Sequence, residues 1–247
     1  MGRQRRIDIW RIVDRTRAGM LKSSTRRARK GLKEQMQPIL DFLPDRADEL
    51  NSTIVDSLIE QGPIKEMMTD IYYTTGLPFA KAVYGSLKKA EFNDDVFGRA
   101  VVDAIETDGL IMVSDMTATT KKEINHILSA AFEEGQSIQA TAATIESHIR
   151  HMSNVRATMI ARTETIRASN FGALQGAKFT ELKLNKEWIS TFDDRSRIDH
   201  EAADGQIVGR DDMFDVGGEQ LPYPAATNGS AGNTINCRCT LAFIPVE

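Results

Sequence analysis

Cysteine is nearly missing from this chain: there are two among 247 residues, Cys237 and Cys239, with one residue between them. Neighbours this close cannot make a disulfide framework, so in a reducing compartment they would persist as thiols or as metal ligands. Long apolar runs are missing as well. Nothing approaches the roughly 18 residues needed to span a bilayer. The opening Met1-Gly2-Arg3-Gln4-Arg5-Arg6 lacks the apolar stretch of a signal peptide, and the chain is therefore expected to stay in the cytosol where it is made. Three further absences narrow the chemistry. There is no phosphate-binding glycine loop followed by lysine, no Gly-x-Ser-x-Gly elbow and no dinucleotide fingerprint.

What is present is ordinary in bulk and uneven in detail. An apolar content of 41% with 27% charged residues suits a globular protein, and the length suffices for one large domain or two small ones. The net charge of −4 hides an asymmetry. Residues 1–36 carry twelve Arg or Lys against Asp8, Asp14 and Glu34, about +9, which leaves about −13 on the remainder. A basic arm on an acidic body points to a polyanion or an acidic protein surface, with Arg3, Arg5, Arg6, Arg11, Arg26, Arg27, Arg29 and Lys30 as candidate contacts. The competing reading is a solvated helix that docks on its own acidic body.

Periodicity predicts helices for most of the chain. Ile7, Trp10, Val13, Met20 and Leu21 form an apolar stripe beneath the arm's charges. Pro38 and Pro44 are expected to punctuate it, before a helix carrying Leu50, Ile54 and Leu58. Ile64, Met67, Met68, Ile71 and Tyr72 share one face, with Gly76 and Pro78 read as an interruption before Phe79, Val83 and Leu87. A further helix over Phe97–Ile105 should end near Gly109. Thr120 and Glu123 resemble a capping box that starts a new helix. Gly135 should stop it, Ser137 should cap the next, and Asn154 should cap a last helix over about 155–177. Leu184, Trp188, Ile207-Val208 and residues 240–244 suit short strands. The expected class is mainly α with a C-terminal α+β module: a helical docking region over 1–119, then, over 120–247, a long helix packed on a small loop-rich antiparallel sheet.

The residues able to carry chemistry gather in the last third. Cys237 and Cys239 would project from one face of a strand, and His200 could complete a three-ligand set, with Asp194, Asp199 or Asp204 as a fourth. Cys and neutral His suit tetrahedral zinc; the alternative is buried thiols with a hydrogen-bonded histidine fixing the loops. His200-Glu201 lacks the second histidine and the uninterrupted helix of a metalloprotease, since Asp204 and Gly205 follow. A zinc deaminase would need His-x-Glu and Pro-Cys-x-x-Cys, which are missing. Asp194, Arg195 and Arg197 read as an internal polar network or as a grip on a phosphate. Residues 215–236, rich in Gly and Pro, read as a long loop that either reaches a neighbouring subunit or is an unused excursion.

Arg162-Thr163-Glu164 on a helix, Trp188, Asp194-Arg195-Ser196-Arg197 followed by His200, Asp204-Gly205-Gln206, and Asn236-Cys237-Arg238-Cys239 occur in one order within about 80 residues. Together they resemble the phage Mu F-like head morphogenesis proteins, over roughly residues 120–243. The resemblance implies a minor head protein of a tailed phage, made in the host cytoplasm and carried into the virion near the portal, with portal and capsid proteins as partners and no catalysis. It also implies that Arg162 and Glu164 belong to a shared core, here expected to clamp the loop from Asp194 to His200. Glu164 and Arg167, three apart, would otherwise be a surface ion pair. An Arg-x-Glu pair also occurs in ADP-ribosyltransferases, but there Glu follows a strand. Similar modules in longer chains suggest toxin delivery as another use; no toxin segment follows residue 247 in this sequence.

Overall fold

The computed structural model describes residues 1–88 and 90–246, the side chains of residues 152 and 153 excepted. Six helices come first: α1 (Arg3–Arg46), α2 (Ser52–Leu58), α3 (Gly62–Leu87), α4 (Asp94–Thr107), α5 (Gly109–Glu133) and α6 (Ile138–Lys178). The C-terminal part follows as β1 (Leu184–Ile189), α7 (Ile198–Ala202), β2 (Ile207–Gly209), β3 (Phe214–Val216), β4 (Glu219–Leu221), α8 (Ala231–Thr234) and β5 (Thr240–Pro245). The class is mainly α with a C-terminal α+β module, as the sequence implied. No helix among the described residues is long and apolar enough to cross a membrane.

The long helices run through the breaks expected of them. Pro38 and Pro44 lie inside α1, although an interior proline forfeits a backbone hydrogen bond and costs about 3 kcal/mol. The compensation lies beneath them: Met36, Ile39 and Leu43 are buried in the core, and each such side chain contributes about 1.5–3 kcal/mol. Likewise α3 passes through Gly76 and Pro78. Gly76 is a contact point there, since a Cβ on Gly172 of α6 would collide with the Gly76 carbonyl, and one on Gly176 with that of Ala80. Two helices approach this closely only where side chains are missing. Further, α1, α3 and α6 all pack on one another.

Two expected helix starts are also overturned. Helix α5 begins at Gly109, so Thr120 is no cap but a buried mid-helix residue whose hydroxyl donates to Gln35 Oε1 (3.0 Å) and accepts from Arg156 Nη1 (2.9 Å). The division drawn between residues 119 and 120 thus falls within one helix. Asn154 is likewise inside α6, its amide donating to Arg150 O (3.3 Å). Ser137 caps as expected, accepting from Ala140 N (3.2 Å), and Gly135 ends α5 with φ +63°.

In the C-terminal part β1 is the centre of an antiparallel sheet, β2-β1-β5, in which Trp188 faces Leu241 and Lys186 lies between Val208 and Phe243. The strands anticipated around residues 184, 207 and 240 are all present. The stretch from 215 to 236 is not an excursion. It holds most of the β3–β4 hairpin, turned at Gly217-Gly218 with both φ positive, as a tight two-residue hairpin turn prefers. It also holds α8, and Leu221, Ala225, Ala226 and Thr234 are buried within it. The three-residue strands β3 and β4 are too short to register as periodicity.

Gly172→Ala is expected to destabilise the fold by about 1–3 kcal/mol or more, read in urea titrations. Gly85→Ala, in the partner helix α3 but facing open space, should leave the midpoint unchanged or raise it.

Candidate functional site

Strand β1 is buried on both faces, which makes its polar residues informative. Lys186 and Trp188 point toward the hairpin. Lys186 Nζ donates to Pro222 O (2.7 Å) and lies 5.0 Å from the Phe214 ring centroid, and Trp188 meets Phe214 edge-on at 5.3 Å. Burial pulls the Lys186 amine down to about 8. Glu187 points the other way and receives Arg6 Nη1 (3.2 Å), while Arg6 Nη2 reaches Asp204 (3.3 Å). The other carboxylate oxygen of Asp204 accepts from Ser190 N (3.0 Å). Gly205, at φ +82°, donates to Trp188 O (2.9 Å), and Gln206 returns its carbonyl to Trp188 N (2.9 Å). Asp204-Gly205-Gln206 is therefore the turn that closes the strand, and the glycine is needed for its left-handed backbone.

His200, on α7, and the two thiols meet in the interior. His200 Nδ1 lies 3.2 Å from Cys239 Sγ and 3.7 Å from Cys237 Sγ, and all three side chains are buried. His200 Nε2 faces Asn233 Oδ1 (3.3 Å), and the ring stands edge-on to Trp188. The hydrogen bond from Cys239, with that of His200 behind it, holds the Cys237 thiol well below its ordinary value, whereas burial pushes Cys239 well above it. The three residues named from the sequence are thus brought together. Asp194, Asp199 and Asp204 do not join them.

Helix α6 braces the surrounding loops, through residues other than those expected. Glu164 and Arg167 do pair, but as a buried pair: Arg167 donates to Glu164 Oε1 and to Ala225 O. Burial pushes the Glu164 carboxyl up, and the guanidinium opposes that shift. Thr163 Oγ1 accepts from Asn236 N (3.4 Å), where Asn236 has φ +56°. Asn170 donates to Pro224 O (2.9 Å) and Cys239 O (3.1 Å) and accepts from Arg17 (2.7 Å) and Thr240 (3.2 Å). The clamp falls on residues 222–226 and 236–240, not on the loop from Asp194 to His200, because the bonding side of α6 faces the former. That loop is held instead by Arg197 donating to Ile235 O (2.6 Å) and by Asp193, gripped by both arms of Arg238 (2.6 Å each) and by Arg195 (3.0 Å). Asp193, not Asp194, carries the network; Asp194 is exposed. Arg162 is exposed on α6 and lines, with Arg195, Arg197 and Arg238, an open cavity of about 530 Å³.

The basic arm divides into two sets. Arg17 is buried, donating to Ser169 Oγ (2.7 Å), Asn170 Oδ1 (2.7 Å) and Cys239 O (3.2 Å), and burial lowers its pKa to about 10. Arg6 is taken by Glu187 and Asp204, Arg27 by Asp70 (2.7 Å), and Lys30 loosely by Glu34 (3.6 Å). Arg3, Arg5, Arg11, Arg26 and Arg29 stay exposed, and so do Arg15, Lys22 and Lys33, which were not among the expected contacts. Arg11, Arg15, Lys22, Arg26, Arg29 and Lys33 are spaced so that, with Ala18, they form one row along the helix, about 33 Å long. Arg17 was missed too, although it continues the apolar stripe through Val13 and Met20.

These features define a mainly helical protein whose C-terminal α+β module is cross-braced to its longest helices. Residues 122–242 match the family model described as Phage Mu protein F like protein, and this module is of that family. The match bears out the resemblance noted in the sequence, and with it the coarse reading as a phage head-related protein. A curated relative, the NAD(+)--arginine ADP-ribosyltransferase EFV of Enterococcus faecalis (strain ATCC 700802 / V583), is 33% identical over 119 residues, covering 47% of this chain and 24% of that protein. The chain thus matches about a quarter of the relative's length. No solved structure matches.

Replacing Arg167 by Met should cost about 3–5 kcal/mol, because it leaves a buried carboxylate unpaired, while the double change with Glu164→Leu should recover most of the loss; a double-mutant cycle in urea measures both. Lys186 is depressed in the folded state, so the unfolded chain binds more protons between pH about 8 and 10.5. Its contribution to stability therefore rises with pH across that window. Midpoints compared between wild type and Lys186→Met should differ in slope there.

Proposed function

We propose that the chain is a minor head protein that acts structurally in capsid assembly, bound at or near the portal and carried into the virion, without catalytic activity of its own. The observation that carries the reading is the union of two features on α1. Its inner face is knotted into the Phage Mu F-like module through Arg6 and Arg17, and its outer face presents six exposed cations in one row. A rigid module is thereby attached to a straight cationic edge, which suits a protein that holds a fixed place on an assembly while facing packaged DNA. Support for a non-enzymatic role comes from the burial of His200, Cys237 and Cys239, which leaves a substrate no route to them.

Co-purification with a portal ring, counted by mass, tests the placement, and a chain that never associates with portal or procapsid would end it. For the DNA contact, the logarithm of affinity should fall by about 0.9 per neutralised phosphate per logarithmic unit of salt, so exchanging Arg26, Arg29 and Lys33 for Ala should lower the slope by about 3. Salt-independent binding, or none, would turn the row toward an acidic protein surface instead.

A second reading has one observation in its favour. The matched relative is named an ADP-ribosyltransferase, yet only 24% of it aligns, as expected if a delivery module of this kind is joined elsewhere to a toxin. A third, an enzyme on the C-terminal module that uses zinc or a nucleotide, would require access to the buried cluster or turnover at the Arg162 cavity.

A further inference from the structure

We propose that His200, Cys237 and Cys239 hold a structural zinc ion that locks the C-terminal module. Three observations carry this, and none depends on where in a particle the chain sits. The first is geometry. A tetrahedral zinc with sulfur at about 2.3 Å and nitrogen at about 2.0 Å sets its donors about 3.5 Å apart, and the nitrogen here lies 3.2 and 3.7 Å from the two sulfurs.

The second is the histidine's proton. Asn233 Nδ2 donates to Val216 O (3.2 Å), and a carbonyl accepts only. The amide oxygen of Asn233 must therefore face His200 Nε2 (3.3 Å), and it too can only accept. Nε2 thus carries the hydrogen, and the bare lone pair of Nδ1 points at both sulfurs. A ligating histidine whose other nitrogen is held by a carbonyl has its tautomer set from outside the coordination sphere.

The third is the donor set. Cysteine and imidazole together select zinc over the hard cations. The burial of all three donors shields the site from solvent and suits a structural ion, while three protein donors leave the fourth position to a small exogenous ligand such as water.

The test is metal content of the untagged full chain purified in a reductant without chelator. One zinc per chain is expected, both thiols should resist a thiol reagent, and chelation should lower Tm and expose them. Cobalt in place of zinc should give a thiolate-to-cobalt charge-transfer band. Cys237→Ser and Cys239→Ser should lose the metal, whereas Asn233→Ala should keep the site but weaken its affinity about 10–100-fold. Should the cysteine variants fail to fold, the chelation arm on the wild type decides. A folded wild-type chain that holds no zinc as purified and takes up none from excess zinc would overturn the proposal, as would recovery of a different metal at full occupancy.

Discussion

The structure hangs on the burial of one cation. Arg17 enters the interior from α1, and its guanidinium is bonded to α6 through Ser169 and Asn170 and to the chain entering β5 through the carbonyls of Arg238 and Cys239. A buried charge tolerates no loose donors, so these partners must stand at fixed distances from one another. Asn170 transmits the constraint, since the same amide that receives Arg17 also holds Pro224, Cys239 and Thr240. Helix α1, helix α6, the loop before α8 and the last strand are thereby fixed relative to one another, and with them the sulfurs of Cys237 and Cys239.

Around that knot the helical body is arranged for close approach. Gly172 and Gly176 on α6 let the backbone of α3 come into contact at Gly76 and Ala80. Contact at that distance leaves no room for a break in either helix, which explains why α3 passes through Gly76 and Pro78 without interruption. The same logic extends to Pro38 and Pro44 in α1, where the core residues below outweigh the lost hydrogen bonds.

The Phage Mu F-like module therefore is not a detachable appendage. The family match spans 122–242, yet Arg6 and Arg17, from the first half of α1, supply ion pairs and hydrogen bonds inside it. In this chain the brace is also the cationic edge, so a load on that edge is borne directly by the buried polar knot.

From the sequence alone came the fold class, the helical faces, the three main strands, and the grouping of His200 with Cys237 and Cys239, because burial periodicity and the rarity of Cys and His are properties of composition and order. Hidden from it were the uninterrupted α1, α3, α5 and α6, since local breakers such as Pro78 or the capping pattern at Thr120 lose to packing that only distant segments provide. The roles of Arg17, Asp193, Lys186 and Asn233 were hidden for the same reason: a charged or amide side chain looks like surface until its partners, some 150 residues away for Arg17, are folded against it. Which cations of the arm remain free to meet another molecule was likewise a tertiary matter, decided by which acidic groups and carbonyls came within reach.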